Sequence, residues 1–491
     1  MRFRCKPFVE ILTRVSICLA LGACAVEPNF KRPAAPTGKG FTSQPLPDST
    51  GVADGKSQRF AAGQKIAADW WRVLSCPALD AVVLESLSRN ASLEAARATL
   101  RQSQDTLRAG YGVFFPHADV GASVTREKYN PAPGVIPISG SAASPFNLFT
   151  VTSSVSYALD IWGGQRRQLE ALRAQVDDQR YALAGTYIML SGNVVNTVIA
   201  QAAYRAEIDA TIASLALQKE QLRITEAQAQ GGTVPYANVL SIQSQISSIE
   251  ATLPPLEQKI DQAADLLATL AGLTPAEWKQ PRIALADLTL PADLPGSVPS
   301  ALVRQRPDIL QAEALLHVAN AGIGVATAAM LPSLTLSAGY NVAGTAGGTG
   351  ALWNVGAGIT QPVFDAGTLW YQRKAAIDAH DVSLANYRQT VLSAFQQVAD
   401  TLRGLQHDAE SLQAWTEVVK TADGAMRLIQ ANYAAGISNY LQVLIADGQY
   451  LTAKIGYVQA VAQRLQDTVA LYVALGGGWW NAPASVAGTK P

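Results

Sequence analysis

The chain has 491 residues, with Lys+Arg and Asp+Glu both 38, and is 48% hydrophobic but only 15% charged. A net charge of zero gives no case for nucleic-acid binding. So little charge beside so much apolar content, with no clean apolar run of about 18 residues after the N-terminus, excludes an ordinary polytopic helical membrane protein and leaves room for a β-barrel section.

The leader carries Arg2, Arg4 and Lys6, then an apolar stretch best defined over 15–20, and ends Leu21-Gly22-Ala23-Cys24. Small residues before a cysteine, after a basic and apolar leader, fit a bacterial lipobox: residues 1–23 are removed and Cys24 is lipidated. An ordinary leader with an accidental cysteine is the alternative. Glu10 and Arg14 interrupt the apolar region, as they would if the true start lay downstream of Met1. Ala25 stands where an aspartate would resemble an inner-membrane retention signal. Cys5 and Cys18 leave with the leader, so Cys76 has no disulfide partner. Residues 24–68, with Pro28, Pro33, Pro36, Pro45 and Pro47, read as an extended tether.

Ordered chain is expected from Asp69-Trp70-Trp71. Pro77 suits the first turn of a helix running to Phe115, and Pro116 stops it. Residues 117–126 alternate through Ala118, Val120, Ala122 and Val124 as a strand, and 131–145 form a Gly/Pro/Ser loop. Residues 149–159 place Val151, Val155, Tyr157 and Leu159 on one face and Thr152, Ser154 and Ser156 on the other. Asp160-Ile-Trp-Gly-Gly164 ends that strand. From 165 to about 229 there is no proline, and Leu169, Val176, Leu183 and Leu190 recur every seven residues. A helix of roughly 65 residues would be about 100 Å long and needs partners of similar length for its apolar seam. Gly231-Gly232 turns the chain and a shorter helix returns to Ala271.

The same order then repeats. After a proline-rich linker over 273–300, residues 303–331 read as helix, 333–342 as a strand, 344–350 as a glycine-rich tip and 353–359 as a strand alternating through Trp353, Val355, Ala357 and Ile359. Asp365 precedes a second long helix with the heptad Ile377, Leu384, Val391, Val398, Leu405, Leu412, Val419. Gly232-x-x-x-Tyr236-x-x-Val239-Leu240 matches Gly436-x-x-x-Tyr440-x-x-Val443-Leu444, and Gly272 matches Gly476. Self-similarity at a spacing of roughly 200 residues means a duplicated half, not a short-repeat solenoid. The division is a first repeat over 69–272, the linker 273–300, a second repeat over 301–478 and a tail over 479–491.

Catalytic constellations are not found. His117, His317, His380 and His407 have no ligand-like spacing, and no phosphate-binding G-x-x-x-x-G-K-[ST] occurs. Asp160 and Asp365 stand at strand-to-helix junctions, where capping is the better reading than a carboxylate pair. The expectation is a non-enzyme without metal or cofactor. Four alternating strands of about ten residues suit a membrane span but cannot close a barrel, and open edges are not tolerated in lipid, so an oligomer is required.

The duplicated layout, Trp70-Trp71, Leu159-Asp160-Ile161-Trp162-Gly163, Arg306-Pro307-Asp308-Ile309, Leu331-Pro332-Ser333-Leu334-Thr335-Leu336 and Gly436-Ile-Ser-Asn-Tyr-Leu-Gln-Val-Leu444 resemble the TolC-type outer-membrane efflux family, and the lipobox is similar to its NodT-type lipoprotein branch. The resemblance implies a mainly α, mixed α and β homotrimer. Four strands per chain would make a twelve-stranded transmembrane barrel, and the coiled-coil helices a periplasmic α-barrel. It implies a passive exit duct for drugs or other small molecules, anchored in outer-membrane lipid and joined by a periplasmic adaptor protein to an inner-membrane resistance-nodulation-division (RND) pump. The same architecture serves type I protein secretion, and a trimeric structural lipoprotein is the reading from another class. Members often carry an acidic residue where this chain has Ile445, with Asp447 two further on. The turns at Gly232 and Gly436 are expected at the pump-facing end. A resting constriction is expected over 439–447, with Asn439, Tyr440, Leu441, Gln442 and Asp447 as its candidates, and a ring of three Asp447 copies would attract cations; simple packing is the alternative for Tyr440 and Leu444.

Overall fold

Proline and glycine punctuation sets where the long apolar seams begin and end, and the structure follows it closely. It is a computed structural model describing residues 26–35, 40–42, 47–128, 145–296 and 299–481. The chain divides into two compact units, one of Met1–Arg32, Arg101–Asp178 and Ala312–Tyr387, the other of Pro33–Leu100, Gln179–Gln311 and Arg388–Pro491. Each unit therefore draws on both repeats. Two helices of 67 residues each, Gly164–Gln230 and Thr368–Ala434, contribute to both. Cys24 and most of the first tip loop lie outside the described residues.

Six strands occur in chain order among the described residues: β1 (Arg59–Ala62), β2 (His117–Glu127), β3 (Phe146–Leu159), β4 (Asp293–Gly296), β5 (Ser333–Thr345) and β6 (Gly348–Thr360). In the first unit β2, β3, β5 and β6 form one sheet in the order β2-β3-β5-β6, antiparallel throughout. The second tip is tighter than the 344–350 loop expected: the strands pair up to Thr345 and Gly348, since glycine at φ +150 closes the hairpin without a Cβ.

Each long strand-to-helix junction is capped by an aspartate. The Asp160 carboxylate accepts from the amides of Gln165 and Arg166, both at 3.0 Å. The Asp365 carboxylate accepts from Gly367 at 3.0 Å and Leu369 at 2.8 Å. These satisfy donors that the first helical turn leaves without partners. Residues 26–32 are seated in this unit. The amide of Val26 donates to the carbonyl of Trp162 at 3.0 Å, and the buried Arg167 guanidinium donates to the Val26 carbonyl (2.9 and 3.1 Å), to Asn29 (2.6 Å) and to Glu170 (2.6 Å). His317 bonds Glu170 at 2.7 Å and stacks on Phe30 at 4.2 Å, while Arg32 reaches Glu313 at 2.6 Å. Burial works against charge on Glu170, but hydrogen bonds from His317 and Arg167 prevail and hold its carboxyl below the usual range.

In the second unit β1 pairs in parallel with β4, so the tether and the inter-repeat linker each contribute a strand that no alternation announced. The tether is held further by Arg464, whose buried guanidinium donates to Gln58 and Thr50 at 3.2 Å each, and by the Tyr457 hydroxyl on Asp54 at 2.8 Å. Two expected helices are broken. Asn90 separates Pro77–Arg89 from Ala91–Gly110, its side chain accepting from Leu93 N and donating to Leu270 O. The return after the first turn breaks before Pro254 into Tyr236–Glu250 and Leu253–Leu270, because proline removes a helical donor. Trp70 stacks on Tyr472 at 5.6 Å, and Trp71 donates to Asp80 at 2.8 Å. Arg306 grips Asp308 with two nitrogens and donates to the Ala474 carbonyl at 2.9 Å, which explains the Arg-Pro-Asp sequence. Val398 and Leu405 of the predicted heptad are fully buried.

Candidate functional site

Pairing register decides which side chains share a face of the sheet, because successive residues point to opposite sides. Ala118, Ala122 and Val124 face Val155, Val151 and Phe149 across β2–β3. Val151, Val155, Tyr157 and Leu159 face Val342, Ala338, Leu336 and Leu334 across β3–β5. Tyr340, Ala338, Leu336 and Leu334 face Trp353, Val355, Ala357 and Ile359 across β5–β6. Four strands thus build one continuous apolar face, as the alternation implied. On the outermost strand Trp353, Val355 and Ile359 are 72%, 76% and 74% accessible, while Tyr157, Leu159, Leu334, Ala338 and Val342 on the inner strands are half-exposed.

The opposite face carries Ser123 and Thr125 from β2, Thr150, Thr152, Ser154 and Ser156 from β3, Ser337 and Asn341 from β5 and Asn354 from β6, with Gly121, Gly339, Gly356 and Gly358 between them. The faces are close here: a Cβ on Gly339 would lie 2.5 Å from Asn354 Oδ1 and would turn that exposed side chain aside. The Thr152 hydroxyl reaches Asn341 across the strands at 3.5 Å. The outermost strands β2 and β6 have every residue exposed and each keeps one unpaired edge. An apolar exposed face, a small polar face and two open edges of 11 and 13 residues are what a section of a transmembrane barrel needs.

The hairpin ends belong to the second unit. Gly232 and Gly436 have φ of +74 and +73, and in both the next residue donates back five positions: Thr233 N to Gln228 O, Ile437 N to Asn432 O. That is the left-handed helix end glycine permits at least cost. Asn439 caps the following helix, accepting from Gln442 N at 3.1 Å. Leu441, Gln442 and Ile445 are exposed, whereas Tyr440 and Asp447 are buried, 5% and 4% accessible. Tyr440 packs with Leu215, Ile242, Ile246, Ile249 and Val443. Asp447 accepts from Gln218 at 2.9 Å and Gln430 at 3.1 Å, and Tyr440 donates to Gln218 at 3.4 Å. A ring of exposed Asp447 carboxylates is therefore not what the fold presents. Packing describes Tyr440 and the half-buried Leu444, which apolar residues of the first repeat surround, whereas Asp447 is held by the side-chain amides of Gln218 and Gln430. Burial pushes the Asp447 carboxyl up to about 6, with Gln430 partly offsetting it, and raises the Tyr440 hydroxyl as well.

Sequence reasoning did not find Gln218 and Gln430, which bind Asp447, nor Gln228, which accepts from Tyr433 at 3.1 Å. Glutamine is common on exposed helix faces, so nothing in the local pattern distinguishes these three.

A duplicated chain with a barrel-type sheet and helices of this length defines an outer-membrane channel of the efflux type. Residues 82–273 and 298–477 each match the model of the outer membrane efflux protein family, and the chain belongs to that family. It is 31% identical over 483 residues to the pyoverdine export outer membrane protein OpmQ of Pseudomonas aeruginosa, covering 95% of this chain and 97% of that one. Nodulation protein T of Rhizobium leguminosarum bv. viciae is 28% identical over 469 residues, 94% of this chain and 92% of the relative. Among solved structures, the outer-membrane channel OprN superposes with a TM-score of 0.82 at 26% identity, over 93% of this chain and 100% of that chain. The Campylobacter jejuni CmeC outer membrane channel shares the fold at 21% identity and a TM-score of 0.82, covering 93% of this chain and 95% of that one. The protein is an outer-membrane efflux component, and its family is one of channels, not enzymes.

Proposed function

We propose that three copies of this chain close their sheets into one twelve-stranded barrel and form the passive exit duct of a tripartite system, joined by a periplasmic adaptor to an inner-membrane RND pump. The supporting observation is the sheet: one apolar face, one polar face and two open edges that lipid would not tolerate unpaired. The relatives' names speak of pyoverdine export and of toluene and antibiotic efflux, which favours small-molecule cargo. Lipidation of Cys24 would add a second anchor beside the barrel. The constriction at rest is assigned to the 439–447 segments of three chains. Leu441 and Gln442 are their exposed groups, Asn439 caps the helix, and Tyr440 and Asp447 hold it to its own protomer. Gly232 and Gly436 are the turns that bring these segments to the pump-facing end.

The test is facing. An arginine at a lipid-facing mid-membrane position costs roughly 2–4 kcal/mol, while one in the lumen is tolerated. Val155→Arg should abolish the trimer in native mass spectrometry and Ser154→Arg should keep it. Equal loss from both would defeat the barrel reading.

A further inference from the structure

Charge is distributed unevenly over the four long strands. Neither β3, β5 nor β6 contains Asp, Glu, Lys or Arg, and residues 332–364 contain none at all. Every ionisable carboxylate and cationic group of the sheet lies on β2: His117, Asp119, Arg126 and Glu127. Register separates them further. Asp119 pairs with Ser154, and Glu127 follows the same parity, so both carboxylates share the polar face with Ser123 and Thr125. Arg126 pairs with Asn147 on the other face and donates to it at 3.5 Å. His117 Nε2 lies 3.1 Å from Asp119 Oδ1, on the polar face. Lys128 stands beyond the strand end.

We propose that Asp119 and Glu127 set the charge preference of the barrel lumen, so that the exit favours cationic solutes and disfavours anionic ones. The inference rests on the barrel reading above and adds the residues that carry selectivity within it. Asp119 lies near the helix end of β2 and Glu127 at its loop end. Eight residues of strand place them roughly 26 Å apart at about 3.3 Å per residue. Three chains would give two rings of three carboxylates, one at each mouth, with no arginine or lysine on the same face of the strands to offset them. Asp119 lies opposite Ser154 and beside Gly121, and its carboxylate is 63% accessible with His117 as its neighbour. Glu127, exposed at the strand end, lies opposite Phe146 and accepts from the Thr125 hydroxyl at 3.2 Å. Fixed charge of one sign in a low-dielectric wall raises the local concentration of the opposite ion. The effect must depend on salt: the Debye length is about 30 Å at 0.01 M, enough to span a pore of this kind, and only about 3 Å at 1 M.

The experiment uses the purified full-length protein in planar bilayers under an about tenfold KCl gradient, reading the reversal potential. Wild type should prefer potassium at low salt. The pair Asp119→Asn with Glu127→Gln should lower the cation-over-anion permeability ratio at least about twofold, each single variant less, and the difference should fade near 1 M KCl where screening is complete. Asp119→Lys should lower it below the double variant. An unchanged ratio in the double variant, with conductance intact, would overturn the proposal and leave the barrel standing. A wild type that never conducts would overturn the channel itself.

Discussion

The two repeats solve the same local problem with the same residue and then part ways. Asp160 and Asp365 cap their long helices with nearly equal geometry. Around Asp160, however, the chain supplies its own cover: the 26–32 strap, the buried Arg167 and the Trp162 indole donating to Pro332 O at 2.7 Å. Around Asp365 no such strap occurs among the described residues, and Val363 and Phe364 are 93% and 89% accessible. The hairpin ends differ in the opposite sense. Asp447 of the second repeat is buried by first-repeat helices, while Gln243, the residue at about the same distance past Gly232, is exposed. The matched junctions and turns share one backbone plan, and each differs from its counterpart in what covers it.

The largest effect is expected at the strap. Arg167→Ala removes a buried cation and leaves Glu170 with one partner fewer, a change of about 3–5 kcal/mol for a broken buried pair. Limited proteolysis should then cut within 26–35, and the thermal midpoint should fall. Arg373→Ala, which loses a 3.2 Å bond to Thr327 after the second junction, should do neither.

Next comes Asp447. Its folded pKa is raised from 3.8 to about 6, so the native state holds the proton more tightly than the unfolded chain. The stabilising contribution of that proton is complete below about pH 4 and is lost as pH rises through about 6. At pH 7.5 the buried charge costs up to about 3 kcal/mol, at about 1.4 kcal/mol per pKa unit. Asp447→Asn should raise the melting midpoint at pH 7.5 and give no gain at pH 4, whereas Gln243→Ala should be neutral at both. A gain independent of pH would show that packing, not charge, is responsible.

Cap removal should be smaller and equal. Asp160→Ala and Asp365→Ala each lose an N-cap, about 1 kcal/mol. Hydrogen exchange should show faster opening of the first turns at 164–168 and 368–372. The turns should respond about as strongly as the caps. Gly232→Ala and Gly436→Ala meet no atom within 4 Å, so only the left-handed backbone is penalised, by about 1 kcal/mol each. A markedly unequal pair would mean that one hairpin end is held by a contact outside the chain.

Much of this was legible because it rests on period and punctuation. Alternation located the four long strands, Pro116 and Pro332 the starts of β2 and β5, and seven-residue spacing the two helices of 67 residues. The positive-φ glycines at 232, 272, 436 and 476 stand where the matched motifs put them. What escaped notice depends on partners distant in sequence. β1 and β4 are four residues each, too short for alternation to register, and pair across more than 200 positions. Asn90 looked like helix interior because its carbonyl partner, Leu270, is 180 residues away. Asp447 looked like a tunnel-facing charge because its position beside Gly436 was visible and its glutamine partners were not.

The strap has a consequence in time. Its partners were made at very different moments: Trp162 and Arg167 in the first repeat, Glu313 and His317 in the second. The Arg32–Glu313 pair closes a loop of 281 positions. Ends separated so far meet only after the intervening chain exists, and long closures are slow to form. Residues 26–32 therefore cannot reach Glu313 and His317 until the chain beyond the first repeat has been made. Once the second repeat has folded, Val26 is tied to Trp162 and Arg167, and Phe30 lies on His317. Seating of the strap thus marks the completion of the fold around the first junction.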